Sequence, residues 1–166
     1  MLTRPVAASD ANDWERMRQR LWPAAPGDHA SDIAAFFDGD RRDPAEVFVA
    51  ADEAGRTLGF AEVSIRSHAE GCEPGRIAFL EGWFVEEASR RRGVGAALLR
   101  AVERWGHSQG CTELASDADI DNVCSAAAHL ALGFTEVSRV ICFRKPLSEV
   151  RSSSQRDARP APSQRA

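Results

Sequence analysis

A run of arginines and glycines, Arg90-Arg91-Arg92-Gly93-Val94-Gly95-Ala96, is the part of the sequence best suited to chemistry. It lies between an apolar segment and an amphipathic one, so it predicts a turn that opens a helix. Backbone N–H groups at a helix start bind phosphate, and guanidinium groups and close-packed glycines assist them. The run therefore predicts a cradle for a pyrophosphate group. The alternative is a plain surface turn without a ligand.

Glu81 is the second such feature, because it interrupts the apolar segment 76–85. A carboxylate buried in a strand is costly unless it has a partner. We therefore expect Glu81 either to serve a functional site or to form a structural salt bridge.

No metal site is expected, since the four cysteines are widely spaced and no Cys-x-x-Cys occurs. The only lysine, Lys145, follows no glycine-rich loop, which excludes a P-loop.

The spacing of apolar residues predicts four helices that would position these groups. The arginine–glycine run opens the third of them, in which apolar residues recur every three or four positions until Gly110. Ser9 is the expected N-cap of the first helix, and Asp119 or Asp121 that of the fourth. The expected helices cover residues 10–21, 31–37, 94–109 and a segment ending at Leu132.

Five segments read as strands: 47–51, 57–65, 76–85, 112–116 and 135–144. The turn 52–55 joins the first two as a hairpin. The third is apolar on both faces, as an interior strand is. The resulting order, α-α-β-β-β-α-β-α-β, predicts an α/β or α+β sheet with helices on its faces.

Residues 1–147 are predicted to form one domain, and residues 148–166 a disordered tail rich in Ser, Arg, Pro and Ala. The tail carries a charge of +2, which leaves −6 on the domain. An acidic domain favours a cationic partner over nucleic acid, although the charge also serves solubility alone. The N-terminus lacks the apolar stretch of a signal peptide and no run is long enough to span a membrane, so we expect a cytosolic protein.

Two motifs together resemble the GCN5-related N-acetyltransferase (GNAT) superfamily. The pattern Arg90-x-x-Gly93-x-Gly95, between a strand and a helix, is similar to its acetyl-CoA motif. Asn122 and the segment 129–134, His-Leu-Ala-Leu-Gly-Phe, are similar to its Asn…Tyr-x-x-x-Gly-Phe segment. The resemblance covers residues 1–146. It implies acetyl-CoA as cosubstrate and the GNAT fold, a mixed, mostly antiparallel sheet flanked by helices on both faces.

Within that superfamily the chain resembles the aminoglycoside 6'-N-acetyltransferases. The resemblance implies direct acetyl transfer to the 6'-amino group of an aminoglycoside in a ternary complex, which would confer antibiotic resistance. It also implies a homodimer, which no sequence pattern demonstrates. The matching blocks are Leu21-Trp22-Pro23, Phe79-Leu80-Glu81-Gly82, Arg104-Trp105-Gly106, Ala115-Ser116-Asp117, Val140-Ile141 and Arg144-Lys145.

The resemblance also assigns the cofactor contacts. The arginine–glycine run, Arg90 to Ala96, would cradle the CoA pyrophosphate. Backbone groups around Phe84 and Val85 would hold the acetyl carbonyl and the pantetheine, and Asn122 would contact the cofactor arm.

On the substrate side, Trp22 and Glu81 match positions that line the aminoglycoside site. Asp117 matches a carboxylate that binds the substrate amine and acts as a base, and Glu136 matches another substrate-site acid. A carboxylate suits these roles because the ammonium must lose a proton before it attacks. The bland alternatives are a core ring for Trp22, a turn cap for Asp117 and a solvated side chain for Glu136. Further candidate carboxylates on flanking loops are Glu70, Glu73, Asp119 and Asp121.

The chain departs from the superfamily in having no tyrosine, the residue often used there as general acid. His129 matches that tyrosine's position and is the candidate proton donor to the CoA thiolate. A packed histidine is its structural alternative. Ser125 or water are other candidates, or the thiolate leaves without protonation.

Two other functions stay open. One is a same-fold enzyme for another amine, such as a polyamine or a protein N-terminus. The other is a non-catalytic protein that binds acetyl-CoA or the drug. Release of free CoA distinguishes an enzyme from a binding protein. Truncation of Glu81 and Asp117 together should abolish aminoglycoside turnover but leave CoA binding, which distinguishes an aminoglycoside enzyme from an enzyme for another amine.

Overall fold

The fold is built on a five-stranded sheet in the order β1-β2-β3-β4-β5, seen in a computed structural model that describes residues 1–23 and 27–146. Neighbouring strands are antiparallel except β4 and β5, which are parallel. The mixed, mostly antiparallel sheet is therefore confirmed. The predicted tail, residues 148–166, lies outside the described residues. The strands are β1 Leu2–Pro5, β2 Glu46–Ala51, β3 Thr57–Arg66, β4 Ile77–Val85 and β5 Glu113–Ser116.

Four α-helices accompany the sheet within the described residues, as predicted: α1 Ala11–Leu21, α2 His29–Phe37, α3 Val94–Ser108 and α4 Val123–Ala131. Their caps differ from the expected ones. Ser9 lies in a short 3-10 turn, and Asp10 is the N-cap of α1. Asn122 caps α4 in place of Asp119 or Asp121, because its side chain accepts a hydrogen bond from the Ser125 N–H. Across the described residues, no helix has the length and apolar character that a membrane span needs.

Helices cover both faces of the sheet, which the alternation of strand side chains makes possible. On β2, Val47 and Val49 pack with α1 and α2, whereas Phe48 and Ala50 face the side of α3. The apolar stripe of α3 closes one core and the buried Trp14 of α1 closes the other. The expected arrangement of helices on both faces is confirmed.

The predicted hairpin between β2 and β3 is also confirmed. The Asp52 carboxylate accepts hydrogen bonds from the N–H groups of Ala54 and Arg56 at 3.0 and 2.9 Å, which closes the turn. Sequence reasoning missed β1, a four-residue strand without an alternating pattern. It forms because Leu2–Pro5 pairs in antiparallel orientation with the edge of β2.

The predicted last strand, residues 135–144, is wrong for the single chain: residues 135–146 form neither helix nor strand. The apolar side chains that suggested a strand are present, yet Ile141 is 81% exposed and Phe143 92%. A strand persists only where its backbone groups pair with a neighbouring edge. Within the described part of the chain, this segment is not paired with the outer edge of β5.

Two irregularities of β4 prepare the site. The pairing with β5 covers only Ile77–Leu80, so the edge of residues 81–85 is left open where the strands part. We call this point the β4–β5 fork. On the other edge Glu62 pairs with Gly82 and Val63 with Leu80, which leaves Glu81 as the extra residue of a β-bulge. Both irregularities fall on the segment that carries the predicted catalytic glutamate.

Candidate active site

A cleft of about 480 Å³ lies between α1, α2 and the middle of β3 and β4, and we call it the acidic cleft. Trp22 and Glu81, two of the predicted site residues, both line it. Sequence reasoning missed three further acids of its wall. A cleft with this much negative charge suits a ligand with several positive charges. Its carboxylates are Asp32, Asp43, Glu62 and Glu81, and Arg18, Trp22 and His29 complete the polar and aromatic lining.

Trp22 occupies the end of α1, where it is the C-cap residue. Its ring lies 6.5 Å from that of Phe60, and a Cβ at Gly82 would overlap with it. Gly82 therefore lets the indole lie directly on β4. Trp22 packs against the core and lines the cleft at once, so the two interpretations of this residue coexist.

Glu81 projects from the bulge and forms a bidentate pair with Arg66, at 3.0 Å to Nε and 2.6 Å to Nη2. The guanidinium of Arg66 in turn lies 3.4 Å above the ring of Phe79. Burial raises the pKa of Glu81, and the Arg66 pair opposes that rise. Of the two alternatives for Glu81, the structural salt bridge is present, and the same carboxylate also lines the acidic cleft.

Glu62 is the most deeply buried acid of the cleft, with 3% of its side chain exposed. It accepts a hydrogen bond from Trp14 Nε1 at 2.7 Å and lies 3.3 Å from Arg18 Nε. Burial raises the pKa of Glu62 to about 7, against the opposing effect of Arg18. The criterion that singled out Glu81, a carboxylate inside an apolar strand, also applies to Glu62 and would have found it.

The arginine–glycine run forms the predicted turn into a helix. Arg91 and Gly93 have positive φ angles of 58° and 82°, and α3 begins at Val94 with Gly93 as its N-cap. The first N–H groups of α3 have no acceptor within the helix, so they are free to bind an anion. The side chains of Arg90, Arg91 and Arg92 are exposed, and none of them forms an ion pair with any described residue.

Gly95 serves the packing of this turn, since a Cβ there would lie 2.7 Å from Trp83 Cζ2. The glycine lets the first turn of α3 approach β4. Arg90 adds a link to the same strand, because its Nε donates to the carbonyl of Val85 at 3.1 Å. The phosphate-binding geometry is therefore fastened to the open part of β4, and the residues present fit a pyrophosphate group.

Phe84 and Val85 lie on the open edge of β4. The ring of Phe84 stacks on Phe60 at 6.2 Å, and the Val85 side chain packs on the opposite face against the α3 core. Because both side chains are packed, the backbone groups of these two residues are the part available to a ligand.

His129 lies at the β4–β5 fork, between the rings of Trp83 and Phe134 at 5.3 and 4.9 Å. Its Nδ1 donates to the carbonyl of Ser125 at 2.8 Å. In the neutral ring, Nε2 is therefore the acceptor, and it lies 3.0 Å from the hydroxyl of Ser116. Ser116 ends β5 at the fork. His129 is both a packed histidine and a group that can carry a proton there.

Asn122 and the two remaining predicted acids lie outside the acidic cleft. The Asn122 carbonyl oxygen is occupied with capping α4, at 3.0 Å from the Ser125 N–H. Asp117 is exposed directly after Ser116. Glu136 is exposed and paired with Arg139, which lowers the pKa of the carboxyl. Glu70, Glu73, Asp119 and Asp121 do not line the cleft either.

The predicted catalytic and substrate-binding residues thus form three groups. Trp22 and Glu81 lie in the cleft, Asp117 and His129 lie near the end of β5, and Glu136 lies apart from both. Within the described ranges, no three His, Cys, Asp or Glu side chains are arranged to hold a metal ion.

Comparison with known proteins agrees with this arrangement. Residues 12–134 match the acetyltransferase (GNAT) family. Aminoglycoside N(6')-acetyltransferase type 1 of Klebsiella aerogenes is 52% identical over 147 residues, which is 88% of this chain and 97% of that protein. The protein of the same name from Stenotrophomonas maltophilia is 42% identical over 147 residues, which is 87% of this chain and 92% of that protein.

Solved structures give the same result. AAC(6')-Iy in complex with the bisubstrate analogue CoA-S-monomethyl-acetylneamine is 38% identical, with a TM-score of 0.79 over 88% of this chain and 98% of that one. The 6'-N-acetyltransferase AAC(6')-Ih from Acinetobacter baumannii is 34% identical, with a TM-score of 0.80 over 89% and 99%. The chain therefore belongs to the GNAT acetyltransferase family and, within it, to the aminoglycoside N(6')-acetyltransferases.

Proposed function

We propose that this protein transfers the acetyl group of acetyl-CoA to the 6'-amino group of an aminoglycoside. The observation that carries the proposal is that an acidic cleft and an anion-binding helix start lie on the same open segment of β4. The first suits a polycation and the second a pyrophosphate. The related structure with CoA joined to acetylneamine supports the pairing of these two ligands. Acetylation removes one positive charge from the drug, which is how the reaction would confer resistance.

The cofactor is held by its charged end and by its arm. The N-terminus of α3, with Arg90 to Arg92, binds the pyrophosphate. The open backbone edge around Phe84 and Val85 binds the acetyl carbonyl and the pantetheine. Backbone N–H groups of that edge also stabilise the oxyanion that forms when the amine attacks the thioester.

The substrate is held by its charges. Glu81 binds an ammonium group, for which Arg66 has to move away from the carboxylate, and Trp22 packs against the sugar. Asp117 accepts the proton that the 6'-ammonium must lose before the nitrogen can attack. The amine attacks directly, so no acetyl-enzyme intermediate is formed.

The departing thiolate takes its proton from His129. Its Nε2 points to the Ser116 hydroxyl, which also lies 3.2 Å from the carbonyl of Leu80 at the fork. When both ring nitrogens of His129 carry a proton, Nε2–H donates to the Ser116 hydroxyl, which passes its own proton to a thiolate at the fork. This transfer leaves the neutral ring, with Nε2 again an acceptor. This arrangement supplies an acid in a chain without tyrosine.

The enzyme acts in the cytosol, a proposal that rests on its four free cysteines, which fit a reducing compartment. Residues 1–147 form its catalytic domain, and the family match over residues 12–134 lies within that range.

The protein is also a homodimer in this proposal, which the segment 135–144 supports. The segment is rich in β-branched and aromatic residues, and it exposes Val140, Ile141 and Phe143. The outer edge of β5 has no partner strand in the described part of the chain. Pairing between two copies would bury these side chains and satisfy both edges.

The reaction is tested by CoA thiol release with acetyl-CoA and a panel of aminoglycosides that have or lack a 6'-amino group. We expect release only with the 6'-amino compounds. Release with spermidine or small amines alone would identify an acetyltransferase of another substrate. Acetyl-CoA binding without any release would identify a binding protein.

The two acid roles are tested by Glu81→Gln and Asp117→Asn, alone and together. The double variant should lose at least about a hundredfold in kcat/KM for the aminoglycoside, because it lacks both an ammonium partner and a proton acceptor. Acetyl-CoA affinity should be unchanged. Glu103→Gln, at an exposed acid of α3 outside the cleft, is the matched control. Wild-type turnover in the double variant would contradict both assignments.

The acid role of His129 is tested by His129→Gln, measured as kcat in H2O and in D2O. The variant should lose about tenfold to a hundredfold in kcat, and the solvent isotope effect on kcat should fall with the loss of the proton donor. Ser125→Ala leaves the backbone acceptor of His129 in place and serves as control. A variant that is slower but keeps the wild-type isotope effect would reduce His129 to a packing role.

The dimer is tested by light scattering during size-exclusion chromatography. The wild type should have twice the chain mass of 18.1 kDa, and Ile141→Asp should have that mass once. Val123→Asp changes an exposed apolar residue outside the segment and should stay dimeric. A monomeric wild type would refute this part of the proposal.

A further inference from the structure

One charged cluster lies under the acidic cleft and takes no part in the mechanism above. It consists of Trp14 and Arg18 on α1 and Glu62 on β3, and we call it the buried cluster. Glu62 links the two α1 residues, through a hydrogen bond from Trp14 and an ion pair with Arg18. Arg18 also reaches the cleft wall, because its Nη2 lies 3.4 Å from Asp32. The cluster therefore connects the core of the protein with the surface of the cleft.

Arg18 is held unusually for a buried arginine. Its guanidinium carbon lies 5.8 Å from the ring of Trp14 and 5.4 Å from that of Trp22. Its Nη1 and Nε are buried and have no hydrogen-bond partner among the residues that the structure describes. Unsatisfied buried donors destabilise a fold, and a buried ion pair seldom repays its desolvation. Stability alone does not explain why charges occupy this place.

We propose that Glu62 is a positioning residue that, through Arg18, holds Trp22 and Asp32 at the wall of the cleft, and that its ionisation is coupled to the binding of a cation there. The inference rests on the proposed function, since the cation it requires is the polycationic aminoglycoside. It adds that binding of this substrate expels a proton from the floor of the cleft.

The charges around Glu62 give the direction of the coupling. Burial and the carboxylates of Asp43 and Glu81 raise the pKa of Glu62 to about 7, while Arg18 opposes them. A bound cation stabilises the ionised form and lowers that pKa. The substrate therefore binds the ionised protein more tightly, so its affinity falls as the pH drops through this range. The charged and titratable groups around Glu62 are Arg18 on α1, His29 and Asp32 on α2, Asp43 before β2 and Glu81 on β4.

The test compares wild type and Glu62→Gln by titration calorimetry with neamine, between pH 6 and pH 8, in two buffers of different ionisation enthalpy. Neamine's own amines titrate equally in both experiments, so the difference between the proteins reports Glu62. We expect the wild type to release more protons at pH 7 than the variant. At pH 8 the variant should bind neamine about tenfold more weakly, and at pH 6 the two affinities should converge.

Acetyl-CoA affinity should be unchanged, and Glu103→Gln, at an exposed acid of α3 outside the cleft, should match the wild type throughout. Equal proton release by both proteins, or the same affinity ratio at pH 6 and pH 8, would overturn the proposal and leave Glu62 a structural residue.

Two further variants keep the test decisive if Glu62→Gln does not fold. Arg18→Lys retains a cation and should keep the pH dependence, whereas Arg18→Met should move the fall in affinity to higher pH. Identical profiles for both would overturn the proposal. Wild-type protein that binds no neamine at any pH would refute the proposed function as well, whereas turnover without the coupling would refute this inference alone.

Discussion

The early end of pairing between β4 and β5 is the constraint on which the rest of the site depends. Parallel pairing stops at Leu80, and the five residues that follow on β4 keep one backbone edge open. The loop that starts α3 is fastened to the end of this edge through Arg90. At the start of the edge, the bulge places Glu81 in the acidic cleft. One short stretch of strand thus has an acidic cleft at one end and an arginine–glycine helix start at the other.

The acidic cleft contains four carboxylates, and its two glutamates are both paired with an arginine. Glu81 is paired with Arg66, and Glu62 with Arg18, so both buried carboxylates are compensated before any ligand arrives. Such pairing keeps the desolvation cost of each carboxylate tolerable. An ammonium group that enters the cleft therefore has to compete with a guanidinium group for a carboxylate that is already paired.

Much of this arrangement could be predicted from the sequence, where local pattern and chemistry agree. The stripe of α3, the Asp52 turn and the glycine-rich helix start all depend on neighbouring residues, and all were predictable. Glu81 was predictable as a carboxylate in an apolar strand. The three other acids of the cleft were not grouped with it, because Asp32, Asp43 and Glu62 come from separate elements that only the tertiary fold brings together. Residues 135–144 have a strand pattern without a strand, since a pattern cannot say whether a pairing edge lies in the same chain.

The most direct test of the account is the structure of the ternary complex with a non-transferable acetyl-CoA analogue and neamine. The account predicts the 6'-nitrogen within about 3–3.5 Å of the acyl carbon at the β4–β5 fork, the distance of a near-attack geometry. The pyrophosphate should lie on the N-terminus of α3, and other ammonium groups should lie in the acidic cleft with Arg66 displaced from Glu81. Neamine bound away from this cleft, with Glu81 still paired to Arg66, would contradict the central claim that one open strand edge joins the two sites.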